Sequence, residues 1–219
     1  MSKAIIQVEN LKKTFREEEV LKGISCEFDR GKTHAVIGNN GSGKSVFFKC
    51  ICGFIEPTEG KITVDGKVIG KEIDFPESIG VIIEHPGFLS NLSGFQNLQL
   101  LAKIRNRITD EEIAEAIRLV GLDPDSKKAV YKYSLGMKQR LGIAQAIMED
   151  PDILILDEPF NGLDKCGVKE IREVIMGLKC SGKTILLTSH NSEDIQKLAD
   201  EIWEMDAGRM TNINSSLCV

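Results

Sequence analysis

No stretch of this 219-residue chain approaches the about 18 consecutive apolar residues that cross a bilayer as a helix, so no transmembrane helix is expected. The first ten residues lack the apolar core of a secretory signal, which places the expected compartment in a reducing cytoplasm. The six cysteines show no paired or metal-ligand spacing, so a disulfide framework and a zinc ribbon are both set aside. Cys50 and Cys52 fall two apart within a helical pattern, where side chains face different directions, and read as small buried hydrophobes. A basic cluster is also missing, and with a net charge of −5 the chain carries no electrostatic footprint for nucleic acid. The 42% hydrophobic and 28% charged composition is that of a soluble globular protein, and the length suits one α/β domain with room for a subdomain.

What is present centres on residues 33–50. Ala35, Val36 and Ile37 give a strand, residues 38–43 a glycine-rich loop, and Lys44-Ser45 opens a helix whose apolar residues Phe47, Phe48 and Ile51 recur at helical spacing. The spacing is G-x-x-x-x-G-K-[ST], contributed by Gly38, Asn39, Asn40, Gly41, Ser42, Gly43, Lys44 and Ser45. Glycines let successive backbone N–H groups point inward, and the helix N-terminus behind them carries partial positive charge, so the loop is built to hold phosphate. Lys44 supplies a full charge to the β- and γ-phosphates, and the Ser45 hydroxyl offers an oxygen to Mg²⁺. A second stretch, residues 177–184, fits the same expression, but there a helix ends at Gly182 and a strand begins at Thr184. A helix C-terminus presents carbonyls, which repel phosphate, so Gly182 reads as a helix-ending turn.

Ahead of the loop, residues 4–9 and 20–28 read as two strands of a hairpin around the charged turn at 16–19. Phe15, the aromatic residue of that connection, is either a platform for a purine ring or a partly buried loop residue. Behind the loop, residues 61–66 give a strand and tight turn. The apolar run at 78–84 suggests a buried parallel strand with Glu84 at its carboxyl end, where ligands bind open α/β sheets. Glu84 is thus a candidate beside the phosphates, or an exposed strand-end carboxylate. Residues 94–104 and the helix opened by the capping box 109–112 follow with no strand between them, and a third helix starts near Ser134. These form a helical subdomain of about 85–149 inserted into a core of 1–84 and 150–219. Residues 153–156 make a fully buried strand that ends in Asp157-Glu158, two carboxylates that need a cation beside them. Nucleotide-bound Mg²⁺ answers that need: Asp157 holds the metal, and Glu158 accepts a proton from an attacking water. A further helix at 166–178 leads to a strand at 184–189, and His190 at its end is either a structural histidine or, from the carboxyl end of a third buried strand, a donor to a γ-phosphate. Residues 201–213 read as a closing hairpin.

With these motifs in this order, nearly the whole chain resembles the nucleotide-binding cassette of ABC transporters. The resemblance makes 38–45 the Walker A loop, 153–158 the Walker B strand with its catalytic glutamate, 161–164 the D-loop with Asp164 toward nucleotide, His190 the switch histidine, and Phe15 the adenine-stacking aromatic. It aligns the family's Leu-Ser-Gly-Gly-Gln signature with residues 133–137, keeping Ser134 and Gly136, and implies that this segment caps the γ-phosphate held by an opposite subunit. Glu84 stands where the family has glutamine, adding a negative charge near the triphosphate while still able to ligate Mg²⁺. The implied fold is an α/β P-loop NTPase with a mostly parallel core sheet, an antiparallel β subdomain and an inserted helical subdomain. The implied function is ATP binding and hydrolysis in a homodimer, or a pseudo-dimer with a second cassette, that drives a separate membrane permease from the inner face of the membrane. These variants look like those of bacterial exporters of antibiotics and antimicrobial peptides. A soluble clamp on ribosome or DNA is the alternative, against which stands the lack of a second cassette, long coiled coil or basic segment. A non-hydrolysing regulatory module is disfavoured by Glu158 and His190.

Overall fold

The computed structural model describes residues 4–84 and 87–213. Its strands sort into two sheets by the direction of their neighbours. In the first, β1 (Ala4–Phe15) and β2 (Glu18–Asp29) form an antiparallel hairpin that continues through β4 (Glu59–Val64) to β5 (Lys67–Val68), in the order β2-β1-β4-β5. The second contains β3 (Thr33–Ile37), β6 (Ile79–Ile82), β7 (Ile153–Leu156), β8 (Thr184–Leu187), β9 (Glu201–Asp206) and β10 (Arg209–Asn212), in the order β10-β9-β3-β8-β7-β6. All its neighbours are parallel except the closing hairpin β9–β10. The fold is thus the α/β arrangement of a mostly parallel sheet beside an antiparallel one.

Helix α1 (Lys44–Ile51) is packed between the two sheets. Phe47, Phe48, Cys50 and Ile51 are fully buried in one cluster with Ile6, Leu21, Phe28 and Ile62 of the antiparallel sheet and Val36, Ile155, Leu186 and Met205 of the parallel one. Burying each phenylalanine contributes on the order of 2–3 kcal/mol, so this helix is anchored more strongly by packing than its eight residues would be by propensity. Side chains alternate faces along a strand, which explains the unbroken apolar run in β7. Ile153 and Ile155 join the cluster around α1, whereas Leu154 and Leu156 face the helices on the other side.

Between β6 and β7 the chain makes α2 (Gly94–Arg105), α3 (Asp110–Leu119), a 3₁₀ turn (Val130–Lys132) and α4 (Leu135–Ile147), with no strand among them. The Thr109–Glu112 capping box closes on α3 as its sequence predicts, and a second box, Ser93–Gln96, opens α2. Helix α5 (Lys165–Cys180) follows β7, and α6 (Ser192–Leu198) follows β8.

The structure corrects the sequence reading at three places. The apolar run before Glu84 is parallel to β7, but β6 is the outermost strand of its sheet, with Ile79 and Val81 half-buried. Helix α4 covers it so closely that a Cβ on Gly80 would lie 1.9 Å from the Ala146 carbonyl oxygen. The first strands are longer than their alternating stretches, because register shifts after Val8 and Leu11 break the period of two while pairing continues to Phe15. Helix α6 escaped notice: at seven residues, with only Ile195 and Leu198 as buried apolar anchors, it is too short to present a periodic face.

The second G-x-x-x-x-G-K-[ST] match ends a helix, as its flanks imply. Gly182 is left-handed (φ 84°), and its N–H and that of Lys183 satisfy the last carbonyls of α5, Lys179 O at 2.9 Å and Leu178 O at 3.2 Å. The Lys183 ammonium is held by Asp150, 2.7 Å from its carboxylate.

Candidate functional site

Strand β3 delivers the chain to Gly38, whose φ of 145° brings it against the closing hairpin; a Cβ there would sit 2.1 Å from the Met205 carbonyl oxygen, so only glycine fits. The loop then folds on itself through Ser42 N–H to Asn39 O at 3.2 Å, and Gly208 N–H donates to Ser42 O at 3.1 Å, pinning it to the β9–β10 turn. Gly43, left-handed at φ 110°, leads into α1 without a side-chain cap, which leaves the first N–H groups of the helix directed at the loop mouth. The Ser42 hydroxyl is buried with no protein partner. Lys44 is 8% exposed and lies across the loop, its ammonium donating to Gly38 O at 2.7 Å and Asn39 O at 3.0 Å.

One residue on, the Ser45 hydroxyl donates to Asp157 Oδ2 at 2.6 Å and so joins the start of α1 to the end of β7. The other oxygen of Asp157 accepts from the Thr188 hydroxyl at 2.8 Å, and that hydroxyl also accepts from the Glu158 N–H at 2.7 Å. Glu158 is left-handed at φ 51°, which swings its side chain away from that of Asp157, and its Oε1 lies 3.2 Å from His190 Nε2. Burial pushes the Glu158 carboxyl above the usual range; the neighbouring His190 opposes this and the Asp157 charge adds to it. From α4, the Gln139 amide donates to Glu158 O at 3.2 Å.

These groups face each other across a cavity of about 330 Å³, with Asn40, Gly41, Gly43, Lys44 and Ser45 on one wall and Asp157, Glu158 and His190 on the other. An ammonium and a helix N-terminus thus oppose two carboxylates. The carboxylates repel a bare polyphosphate, and a divalent cation bound with it reverses that repulsion. Among the described residues no three His, Cys, Asp or Glu side chains gather to hold a metal ion. Ser45 and Asp157 supply two oxygens, leaving the rest to water and ligand oxygens, which is how Mg²⁺ binds in phosphate-transfer sites.

The remaining candidates lie outside this cavity wall. Phe15 sits at the end of the β1–β2 hairpin opposite Glu18, 42% exposed, with the Lys13 ammonium 4.9 Å from its ring centre. Glu84 is left-handed (φ 63°) and its carboxylate is paired with Lys49 rather than with Ser45. Ser134 caps α4, its hydroxyl accepting from Met137 N–H at 3.1 Å, and Asp164 caps α5, accepting from Gly167 N–H at 2.8 Å. Gly136 and Gly162 pack together: a Cβ on Gly136 would meet the Gly162 carbonyl oxygen at 2.9 Å, and Leu135 covers Gly162. Residues 134–136 and the 161–164 loop therefore form one surface, and Ser134, Gly136 and Asp164 do not line the cavity that Lys44 lines. The sequence reading assigned no site role to Thr188 or Gln139; the only cue to Thr188 is a hydroxyl ending an apolar strand two residues before His190.

The family model for ABC transporters matches residues 21–161. The ABC transporter ATP-binding protein YybJ of Bacillus subtilis is 45% identical over 206 residues, covering 94% of each chain. The bacitracin transport ATP-binding protein BcrA of Enterococcus faecalis is 42% identical, over 94% of this chain and 68% of its own. Among solved structures, CbiO1 of Clostridium perfringens, part of the ABC transporter complex CbiONQ, is 30% identical and superimposes with a TM-score of 0.81 over 95% of this chain and 87% of its own. With the loop, the two carboxylates and the histidine in one cavity, and relatives of this identity along nearly its whole length, the chain belongs to the ABC transporter family, as an ATP-binding, ATP-hydrolysing subunit.

Proposed function

We propose that the chain binds MgATP in the cavity between residues 38–45 and Asp157–Glu158, hydrolyses it as one half of a dimer, and powers a separate permease that exports a peptide-like antibiotic. The observation that carries the reading is the Ser45–Asp157 hydrogen bond at 2.6 Å with the Glu158 carboxylate beside it, 3.2 Å from the His190 ring, an oxygen pair suited to a metal next to a proton acceptor.

In this reading the loop N–H groups and Lys44 hold the β- and γ-phosphates, Ser45 and Asp157 hold Mg²⁺, and Phe15 offers its open face to the purine. When bound, Mg²⁺ neutralises charge on the phosphate oxygens. Glu158 takes the proton of the attacking water; burial raises its affinity for that proton, which favours the transfer. His190, its ring beside the Glu158 carboxylate, donates to the γ-phosphate. Ser134, exposed at the start of α4, and Gly136, packed on Gly162 beside it, complete the site of a partner subunit, and Asp164 supports that surface by capping α5.

Transport requires a partner, since among the described residues no helix is long and apolar enough to cross a membrane. The permease would hold the cassette at the inner face of the membrane, and a groove of about 620 Å³ beside β6, with Phe54, Phe75 and Ile104 exposed around it, offers it a landing surface. Export of an antibiotic is supported by the relation to BcrA. The test is to express the chain with its permease in a bacterium sensitive to bacitracin and lantibiotics. Resistance that rises with the wild-type chain and not with Glu158→Gln supports the reading; unchanged sensitivity to every such peptide counts against the substrate class.

A further inference from the structure

Thr188 ties the two carboxylates of the site into one unit. It lies just past β8, fully buried, and its own N–H is bonded to Leu156 O at 3.0 Å, so its position beside the end of β7 is fixed by the sheet. Its hydroxyl has one proton, and that proton goes to Asp157 Oδ1 at 2.8 Å; a lone pair accepts the Glu158 N–H at 2.7 Å. Asp157 and Glu158 are adjacent in sequence but turn different ways, and this hydroxyl touches both.

We propose that Thr188 is a positioning residue for ATP hydrolysis, its hydroxyl aiming Asp157 at the metal position and Glu158 at the water. The inference rests on the ATPase reading above. A carboxylate rotates readily about its last side-chain bond. With Oδ1 committed to Thr188, the rotation is stopped and Oδ2 faces Ser45, as seen at 2.6 Å. Glu158 holds a left-handed φ of 51°, uncommon for a residue with a long side chain, and such a conformation persists only where its surroundings impose it. The Thr188 hydroxyl on its N–H and the Gln139 amide on its carbonyl are the two side-chain bonds that do so. Removing the hydroxyl leaves an N–H without its partner and Asp157 held by Ser45 alone, so metal affinity and proton abstraction fall together although neither ligand nor base has been changed.

The experiment compares wild type, Thr188→Val, which keeps the shape and removes the hydroxyl, and Thr188→Ser, which keeps the hydroxyl and removes the methyl. Steady-state hydrolysis gives kcat, KM and the Mg²⁺ dependence; a fluorescent ATP analogue titrated with Mg²⁺ or with EDTA gives binding without turnover; thermal melting reports folding. The expected result for Thr188→Val is a kcat at least tenfold lower, unchanged binding in EDTA, a severalfold loss of the affinity gained with Mg²⁺ and a matching severalfold rise in KM for ATP. Thr188→Ser stays within threefold of wild type in all four. If the valine protein does not fold, Thr188→Ala against Thr188→Ser makes the same comparison. A folded hydroxyl-free variant with wild-type kcat and Mg²⁺ dependence overturns the proposal, and so does equal impairment of the serine variant, which would assign the effect to packing of the methyl. A wild type without Mg²⁺-dependent turnover would sink the ATPase reading instead, and the binding arm would still decide the link between Thr188 and the metal.

Discussion

The ammonium of Lys49 lies 2.5 Å from a carboxylate oxygen of Glu84. Lys49 is one helical turn beyond Ser45 on α1, so the Glu84 carboxylate is held along the helix from the Ser45–Asp157 pair and not at it. The pair is exposed, and such pairs contribute about 0.2–1 kcal/mol. Lys49→Ala should therefore free Glu84 and change the Mg²⁺ concentration for half-maximal hydrolysis by roughly 1.5- to 5-fold. The same change in a Glu84→Gln background should have no such effect. Equal effects in both backgrounds would remove Glu84 from any dealings with the metal.

Lys44 and Lys183 occupy the same place in two copies of one sequence expression and should behave differently. Lys44→Ala removes the cation of the nucleotide cavity and should weaken ATP binding by at least about tenfold, the scale of a lost charge-assisted hydrogen bond. Lys183→Ala removes only a surface contact to Asp150 and should leave the binding curve where it was. Titration with a fluorescent nucleotide separates the two.

Glu158→Gln should lower hydrolysis by about 10²- to 10⁴-fold while ATP binding persists, so that an ATP-bound dimer accumulates on size-exclusion chromatography. It should also change stability in a pH-dependent way. Burial raises the Glu158 carboxyl in the folded chain, so the favourable contribution of its protonated form is complete below the ordinary value of 4.5 and is lost as pH rises through the raised one. The glutamine protein should melt above wild type at neutral pH, and the gap should close as pH falls toward 4.5. A gap independent of pH would mean that burial of the charge is not its cause.

The composite site is tested by mixing two inactive proteins, Lys44→Ala and Gly136→Asp. A side chain at position 136 meets the Gly162 carbonyl, so the second change disturbs the signature surface without touching the loop at 38–45. In a mixed dimer one site carries both defects and the other carries none, and activity should partly return. No recovery, with mixed dimers shown to form, means that both sites must fire together or that residues 133–137 do not complete a partner's site; specific activity independent of protein concentration would point to the second.

The loop at 38–45, the buried strand before Asp157 and the helix caps at Thr109 and Ser134 were legible because each depends on local chemistry: glycine at forced backbone angles, four apolar residues in a row, hydroxyls ahead of apolar periods. Sheet order was not local. Nothing in residues 78–84 tells whether that strand is flanked on one side or two, and β6 became an edge because its second neighbour is helix α4. The partnerships of Glu84 and Asp164 were hidden for a similar reason. A carboxylate near a binding loop invites a ligand role, yet Lys49 and the start of α5 are nearer. Thr188 was hidden because its meaning comes from a strand neighbour 31 residues away in sequence.

The wall behind the nucleotide loop is the last hairpin of the described chain. Met205 sets the space for Gly38, Gly208 N–H bonds Ser42 O, and a Cβ on Gly208 would lie 2.2 Å from Val20 O, so the hairpin wedges between the loop and β2. A fragment ending before Glu201 would keep every recognisable motif and lose the mould in which the first of them is cast. Such a fragment would look complete to any search by pattern and fail to retain nucleotide on a column.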